Sequence, residues 1–222
     1  MNSYPSIFSH AVFAAMLAIP VSASAVIDML PKEATVEQKN QPITLVNNGD
    51  HTEYVSISLS RLLNPGVPLD EERLESVGDV TKPSLYAYPF RVSLAAGQTK
   101  TITLKPLRPV DTETVYRLDV QPVVKLLGSE RRNASANVVV SLGFSGLVRQ
   151  LPSKVREGLD VTCDGAGARL TATGTVRYHV EGAKADGHAV DAFNVYPGVP
   201  LPLAGRVVEI PGHPACRATV EK

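Results

Sequence analysis

Few residues in this chain have the types and spacing that catalysis requires. Ser145 lies in Gly143-Phe-Ser-Gly-Leu147, which misses the Gly-x-Ser-x-Gly pattern of a nucleophile elbow because the second glycine comes one position early. The consecutive Asp70, Glu71 and Glu72 could divide acid and base roles only in a buried setting, and the polar sequence around them predicts a solvated loop. The sequence therefore predicts that the protein is not an enzyme.

Metal and cofactor sites are not indicated either. His179 and His188 have neither the helix nor the short spacing that would make them joint metal ligands. Gly165-Ala-Gly167 lacks the third glycine and the Lys-Ser/Thr pair of phosphate-binding loops, so it is typical of a turn. We expect no metal and no cofactor.

The two cysteines favour a structural role. Cys163 and Cys216 are 53 residues apart, which is neither the C-x-x-C spacing of a redox site nor the paired spacing of a zinc site. In an oxidising compartment they would form one disulfide, which the chain-entropy model values at about 4 kcal/mol. Both lie in the last third of the chain, so we expect a small C-terminal unit that depends on this cross-link.

The first residues predict export. An apolar run from Ala11 to Ile19 is followed by Pro20 and then by Ala23-Ser-Ala25, a small-x-small cleavage site. We therefore expect residues 1–25 to be a signal peptide and the protein to be periplasmic. Lys and Arg are absent ahead of the apolar run, so this prediction depends on the run and the cleavage site alone.

The charge balance excludes several classes of partner. The chain has 22 basic and 22 acidic residues, and its predicted leader contains none of them. Nucleic acids and anionic membranes attract proteins with a large positive charge, so neither is an expected partner. Electrostatic recognition would have to come from one or two placed charges.

Strand patterns divide the chain into two predicted β-domains. Val55–Leu59 alternates apolar residues with serine, and Ile43–Val46, Thr99–Leu104 and Val115–Val124 show related patterns separated by turns. We expect an immunoglobulin-like domain over residues 26–150. Residues 64–93 read as an irregular, charged insertion. After Pro152, short strands punctuated by glycine and proline predict a smaller β-sandwich over residues 155–222.

One long strand is predicted at Asn137–Arg149. Its even-numbered positions form an apolar row, whereas the opposite face carries mostly small residues. Such a row could pack the domain's own core, with Val139 and Leu147 then lying on the other face. Alternatively, a strand at a sheet edge could donate the row to a second protein. The candidate donor residues are Val138, Val140, Leu142 and Phe144.

Four blocks in order give the chain a family resemblance. It resembles the periplasmic chaperones of bacterial fimbriae, in particular the alternate branch that serves colonisation-factor and cable-type pili. The resemblance covers most of residues 26–154. The blocks are Leu63–Gly66, Leu94–Gly97 with Thr101–Leu104, Val115–Arg117 and Gly146–Pro152.

The resemblance implies a fold, a function and partners. It implies an all-β protein of two immunoglobulin-like β-sandwich domains in a boomerang arrangement. Its last N-terminal strand would complete pilin subunits that lack a strand, by donor-strand complementation, and the protein would deliver them to an outer-membrane usher. The expected partners are the major pilin subunit, with a tip subunit left open, and the usher. An uncapped edge strand also raises self-capping by a homodimer in the free protein.

In that family a basic pair in the inter-domain cleft binds the terminal carboxylate of the pilin. Arg149 matches the alternate-branch motif, and Arg117 matches a recurrent arginine that either contacts the carboxylate or supports the cleft. Arginine suits this task because its planar fork can donate two parallel hydrogen bonds. Arg117 could instead pair with a neighbouring acid across the sheet. The first strand has no clear arginine, and Lys32 is its nearest basic residue.

A second function stays open on the sequence. A fimbrial structural subunit or adhesin with tandem β-sandwiches would share the composition and the strand pattern. Such a subunit would need a free N-terminal donor segment of alternating apolar residues, and residues 26–36 are interrupted by Pro31.

Overall fold

The computed structural model describes residues 26–123 and 142–218, and this part of the chain is almost entirely β-strand. It contains two 3-10 turns, Leu69–Glu71 and Val77–Asp79, and no α-helix in these two ranges. Among the described residues, no helix has the length and apolarity needed to cross a lipid bilayer. The predicted signal peptide and two candidate donor residues, Val138 and Val140, lie outside the described residues.

Ten strands build a first sandwich. Four of them form an antiparallel sheet in the order β1-β3-β8-β6. The facing sheet has the order β2-β10-β9-β4-β5, and β7 also pairs with β4. The strands are β1 (Ile27–Leu30), β2 (Glu33–Val36), β3 (Gln41–Asn47), β4 (Glu53–Leu62), β5 (Leu74–Ser76), β6 (Leu85–Tyr88), β7 (Arg91–Leu94), β8 (Thr99–Pro106), β9 (Thr114–Pro122) and β10 (Phe144–Gln150).

The core of the first sandwich lies between these two sheets. Because side chains alternate along a strand, every second residue points inward, and the inward positions of the long strands are apolar. Burial of each such side chain contributes about 1.5–3 kcal/mol. Fully buried examples are Ile43, Leu45, Ile102, Leu104 and Leu118.

The first segment of the chain changes sheets. β1 pairs antiparallel with β3, Pro31 interrupts the strand, and β2 then pairs parallel with β10. At the crossing the chain passes close to Gly146, where a Cβ atom would lie 3.0 Å from the carbonyl oxygen of Lys32 and would overlap the Met29 side chain. Glycine is therefore required sterically at this position of β10.

The segment from residue 64 to residue 93 is more regular than the sequence indicates. It contains β5, β6, the start of β7 and both 3-10 turns, so the prediction of an irregular insertion was wrong. Strands of three or four residues are too short to show an alternating pattern, which explains the difference.

Nine strands build the second sandwich. They form the sheets β11-β12-β17 and β15-β14-β18-β19 and the pair β13-β16. The strands are β11 (Leu159–Asp164), β12 (Gly167–Ala172), β13 (Tyr178–Val180), β14 (Lys184–Ala185), β15 (His188–Ala189), β16 (Phe193–Val195), β17 (Leu201–Ala204), β18 (Val207–Glu209) and β19 (Cys216–Arg217).

A disulfide joins the first and last strands of the second sandwich. Cys163 on β11 bonds to Cys216 on β19, with an S–S distance of 2.08 Å. This confirms the predicted disulfide. The second core is separate from the first and includes Leu170, Val195 and Val208, all nearly inaccessible to solvent.

Candidate functional site

The outer edge of β10 is only partly covered. β9 pairs with β10 along its full length, from Phe144 to Gln150. On the other side β2 pairs only with Leu147–Gln150, beginning at Glu33 opposite Leu147. Within the described residues, no strand pairs with Phe144–Gly146 on that outer side. Unpaired backbone groups at such an edge can accept a further strand.

The apolar row of β10 has two environments. Val148 is buried in the first core and Phe144 packs against it, so the core alternative for this row describes these two residues. Lys32 Nζ lies 3.7 Å from the centre of the Phe144 ring, a cation–π contact. Leu142, just before the strand, is 48% exposed. Whether the four candidate residues act as a donor stays a prediction.

The opposite, outward face of β10 brings the two predicted arginines together. Leu147 pairs with Arg117 and Arg149 pairs with Val115, and residues paired in an antiparallel ladder share a face. Leu147 does not pack the first core, as the alternative for this face supposed. It packs instead against a small cluster that includes Val115 and Tyr196.

Arg149 is held by Glu113, which directly precedes β9. Its Nε donates to Glu113 Oε1 at 2.6 Å, and its Nη2 donates to Oε2 at 3.1 Å. The Glu113 side chain is fully buried and that of Arg149 is 15% exposed. Burial opposes the charge of the guanidinium, but the hydrogen bonds and charge of Glu113 outweigh burial and raise the pKa of Arg149.

Glu113 also contacts the second sandwich. Its Oε2 accepts a hydrogen bond of 2.7 Å from the backbone N–H of Arg177, and its own N–H donates to the carbonyl of Thr175 at 2.8 Å. One buried carboxylate therefore fixes the Arg149 side chain and the backbone at Arg177 together.

The side chain of Arg177 turns toward the start of β2. Its Nη2 lies 3.1 Å from Glu33 Oε1, and its Nη1 donates to the Tyr196 hydroxyl at 3.4 Å. The same Glu33 oxygen lies 3.8 Å from Arg149 Nη1. Glu33 is 47% exposed, so a carboxylate open to solvent sits between two guanidinium groups.

Arg117 is held by a different acid. It donates to Glu72 through Nε at 2.8 Å and through Nη2. The hydrogen bonds from Arg117 to Glu72 outweigh partial burial and raise the pKa of Arg117. Because the Glu72 side chain is only 6% exposed, the prediction that Asp70, Glu71 and Glu72 are all solvated was wrong for Glu72. The first two are exposed.

A small apolar cluster joins the two sandwiches beside these ion pairs. Leu62 and Val115 of the first sandwich are buried against Tyr196 of the second. The cluster borders a cleft of about 250 Å³. Gly66 also reaches this region, since a Cβ atom there would lie 3.6 Å from the Tyr196 ring.

Sequence reasoning missed Glu33, Glu113 and Arg177. Each lies in a short polar stretch whose composition resembles other surface segments, and no spacing marks them. The other chemical candidates stay separate: Ser145 is exposed, and His179 Nδ1 is 3.1 Å from the side-chain oxygen of Asn194. Across residues 26–123 and 142–218, no three His, Cys, Asp or Glu side chains are grouped to hold a metal ion.

Comparison with known proteins identifies a curated relative. The chain is 23% identical over 176 residues to a CS1 fimbrial protein of Escherichia coli that is described as a subunit of the fimbria, covering 77% of this chain and 73% of that protein. No family model matches the chain.

Solved structures give a stronger likeness. A chain of the chaperone–tip adhesin complex for CFA/I fimbriae aligns with a TM-score of 0.67 and 19% identity, over 88% of this chain and 99% of that one. The class 5 fimbriae chaperone CfaA aligns at 0.65 and 20%, over 88% and 94%. A chain of the CsuC–CsuE chaperone complex of Acinetobacter baumannii aligns at 0.55 and 14%, over 81% and 90%.

At these identities the likeness defines the fold. It confirms the all-β prediction with two immunoglobulin-like domains and, at the level of fold, the resemblance found in the sequence. The chain therefore has the fold of the fimbrial chaperones of chaperone–usher systems.

Proposed function

We propose that this protein is a periplasmic chaperone that binds pilin subunits and completes their fold with its own strand. Residues 26–150 would form the pilin-binding domain and residues 155–222 a smaller second domain. The observation that carries the proposal is the open outer edge of β10 at Phe144–Gly146. An incompletely folded subunit with an exposed groove could pair its backbone with this edge.

The apolar row ahead of Gly146 would supply side chains for the groove. Val138, Val140 and Leu142 would enter it, with Phe144 at the boundary to the chaperone's own core. Each fully buried Val or Leu contributes about 1.5–3 kcal/mol, so the row outweighs any single surface ion pair at the interface. Arg149 and Arg117 would lie beside the bound strand as contacts for its terminal carboxylate.

Release would follow from exchange rather than from chemical energy. The chaperone would deliver the subunit to an outer-membrane usher, where another subunit's strand would replace its own and complete the subunit's fold. The free protein would shield its open edge by forming a homodimer.

Co-purification from periplasm tests the proposal. The pilin encoded beside this protein is co-expressed with the wild type, with Val140→Asp/Leu142→Asp, and with Leu74→Asp. Leu74 is a matched control because it is 48% exposed, as Leu142 is, and lies on β5. We expect soluble pilin at one to one with the wild type and the control, and none with the double variant. Equal binding by a folded double variant would overturn the proposal.

A fimbrial subunit is the second candidate, favoured by the description of the CS1 relative. Against it, Ile27–Leu30 pairs with β3 inside the sandwich and therefore does not form a free N-terminal donor segment. Isolated fimbriae separate the two functions. A structural subunit is found along the fibre, whereas a chaperone stays in the periplasm and is absent from washed fibres.

A further inference from the structure

We infer that Glu33 is an internal occupant of an anion site whose two cations are Arg149 and Arg177, and that an incoming carboxylate displaces it. The inference rests on the proposed function for the source of that carboxylate, the chain end of a bound subunit. It assigns the second cation to the second sandwich and gives Glu33 an autoinhibitory role.

The two acids at this site are held differently. Glu113 is fully buried, accepts two hydrogen bonds from Arg149 and one from the backbone of Arg177, and is part of the structure. Glu33 is 47% exposed, and its Oε1 is 3.1 Å from Arg177 Nη2 and 3.8 Å from Arg149 Nη1. Exposed ion pairs of this kind contribute little to stability, so a ligand can replace Glu33 without unfolding the site.

Glu113 leaves both cations ready for a second carboxylate. It engages Arg149 through Nε and Nη2, so Nη1 remains directed at Glu33. It engages Arg177 only through the backbone, so that guanidinium is free to reach Glu33 and Tyr196. Two guanidinium groups with fixed positions can bind a carboxylate with little loss of conformational entropy.

The position of Glu33 connects the site to the open edge. Glu33 pairs with Leu147, the residue that follows the uncovered segment Phe144–Gly146. A strand lying along that segment would meet Glu33 and the two arginines where β2 begins. Tethering by the strand would raise the effective concentration of its carboxylate above that of any free anion.

Binding of N-acetylvaline, with its amide as the uncharged control, tests the inference in the full-length mature protein. The Nε–H resonances of the arginine side chains report binding by NMR. Glu33→Gln should bind N-acetylvaline about fivefold more tightly than the wild type, equal to about 1 kcal/mol, and should not bind the amide. Glu33→Ala should reproduce this gain, which excludes an effect of the new amide group.

Two further variants identify the cause. Glu75→Gln makes the same charge change at an acid that is 41% exposed and 3.1 Å from Arg61, and it should stay within twofold of the wild type. Glu33→Gln/Arg177→Gln should lose the gain. An equal gain in Glu75→Gln, or a gain that survives loss of Arg177, would overturn the inference.

The pilin experiment separates this inference from the proposed function. If the wild type retains pilin but Glu33→Gln binds N-acetylvaline no more tightly, the inference is wrong and the chaperone proposal stands. If Glu33→Gln gains affinity and no pilin is retained by the wild type, the anion site stands and the proposed function is wrong.

Discussion

The carboxylate of Glu113 accepts hydrogen bonds from both sandwiches, and its charge has no contact with solvent. Breaking a buried pair by removing one partner leaves the other charge uncompensated, which costs about 3–5 kcal/mol. We therefore expect Glu113→Gln to lower the free energy of unfolding by roughly 3 kcal/mol. Chemical denaturation followed by circular dichroism would measure this loss.

The exposed pair of Arg61 and Glu75 is the control for that change. Both side chains are more than 40% exposed, so Glu75→Gln should cost less than about 1 kcal/mol. Equal losses for Glu113→Gln and Glu75→Gln would contradict the structural role given to Glu113.

His51 carries a pH-dependent interaction in the turn between β3 and β4. Its hydrogen bond to Asp50 and the nearby charge of Glu53 raise its pKa above 6.5. Since the folded-state pKa is raised, the stabilisation is complete below pH 6.5 and is lost as the pH rises through the folded-state pKa. Titration of the imidazole by NMR should give a value above 6.5, which Asp50→Asn lowers and Asp70→Asn leaves unchanged. A wild-type value at or below 6.5 would contradict this.

At the scale of residues the sequence identified one side of each ion pair. Arg149 and Arg117 could be singled out because arginine in a strand suggests a partner. Their acids, Glu113 and Glu72, lie 36 and 45 residues earlier in the chain, in polar segments that resemble solvated loops. Only the pairing of β9 with β10 and the path of the preceding loops bring these groups together, and short-range sequence patterns contain neither.

At the scale of elements, β10 depends on Gly146. A Cβ atom there would overlap Met29 and lie 3.0 Å from the Lys32 carbonyl oxygen, so β2 could not keep its place beside β10. Gly146→Ala should lower stability by about 1–3 kcal/mol. Gly78→Ala is the control, since its nearest contact would be an ordinary 3.4 Å to Ser76 Oγ. Thermal unfolding of both variants would measure the difference, and equal melting temperatures would contradict the close crossing.

The disulfide is the second element-scale prediction. It joins β11 to β19 across 53 residues of a sandwich whose strands are mostly short. Cys163→Ala/Cys216→Ala should destabilise the second sandwich by about 4 kcal/mol on the chain-entropy model and leave the first sandwich folded. Hydrogen exchange resolved by residue separates the two. Equal loss of protection in β3 and β8 would show that the sandwiches unfold as one unit.

Strand length decides which elements the sequence could predict. β3, β4, β8 and β9 are seven to ten residues long, and each shows alternating apolar residues that mark it clearly. β14, β15 and β19 have two residues each, and their place is set by neighbours rather than by an alternating pattern. The same limit hid the strands between residues 64 and 93.

At the scale of the whole molecule, Tyr196 couples the two sandwiches. It is buried against Leu62 and Val115, and its hydroxyl accepts a hydrogen bond from Arg177, whose side chain also reaches Glu33. Tyr196→Ala should cost roughly 3 kcal/mol, as loss of a buried aromatic ring does, and should loosen the joint that positions Arg177 beside Glu33. We expect a larger radius of gyration in small-angle scattering and weaker N-acetylvaline binding in the Glu33→Gln background. Tyr196→Phe keeps the ring and should retain the wild-type radius. A folded Tyr196→Ala variant with an unchanged radius and unchanged binding would show that the ion pairs alone hold the two sandwiches together.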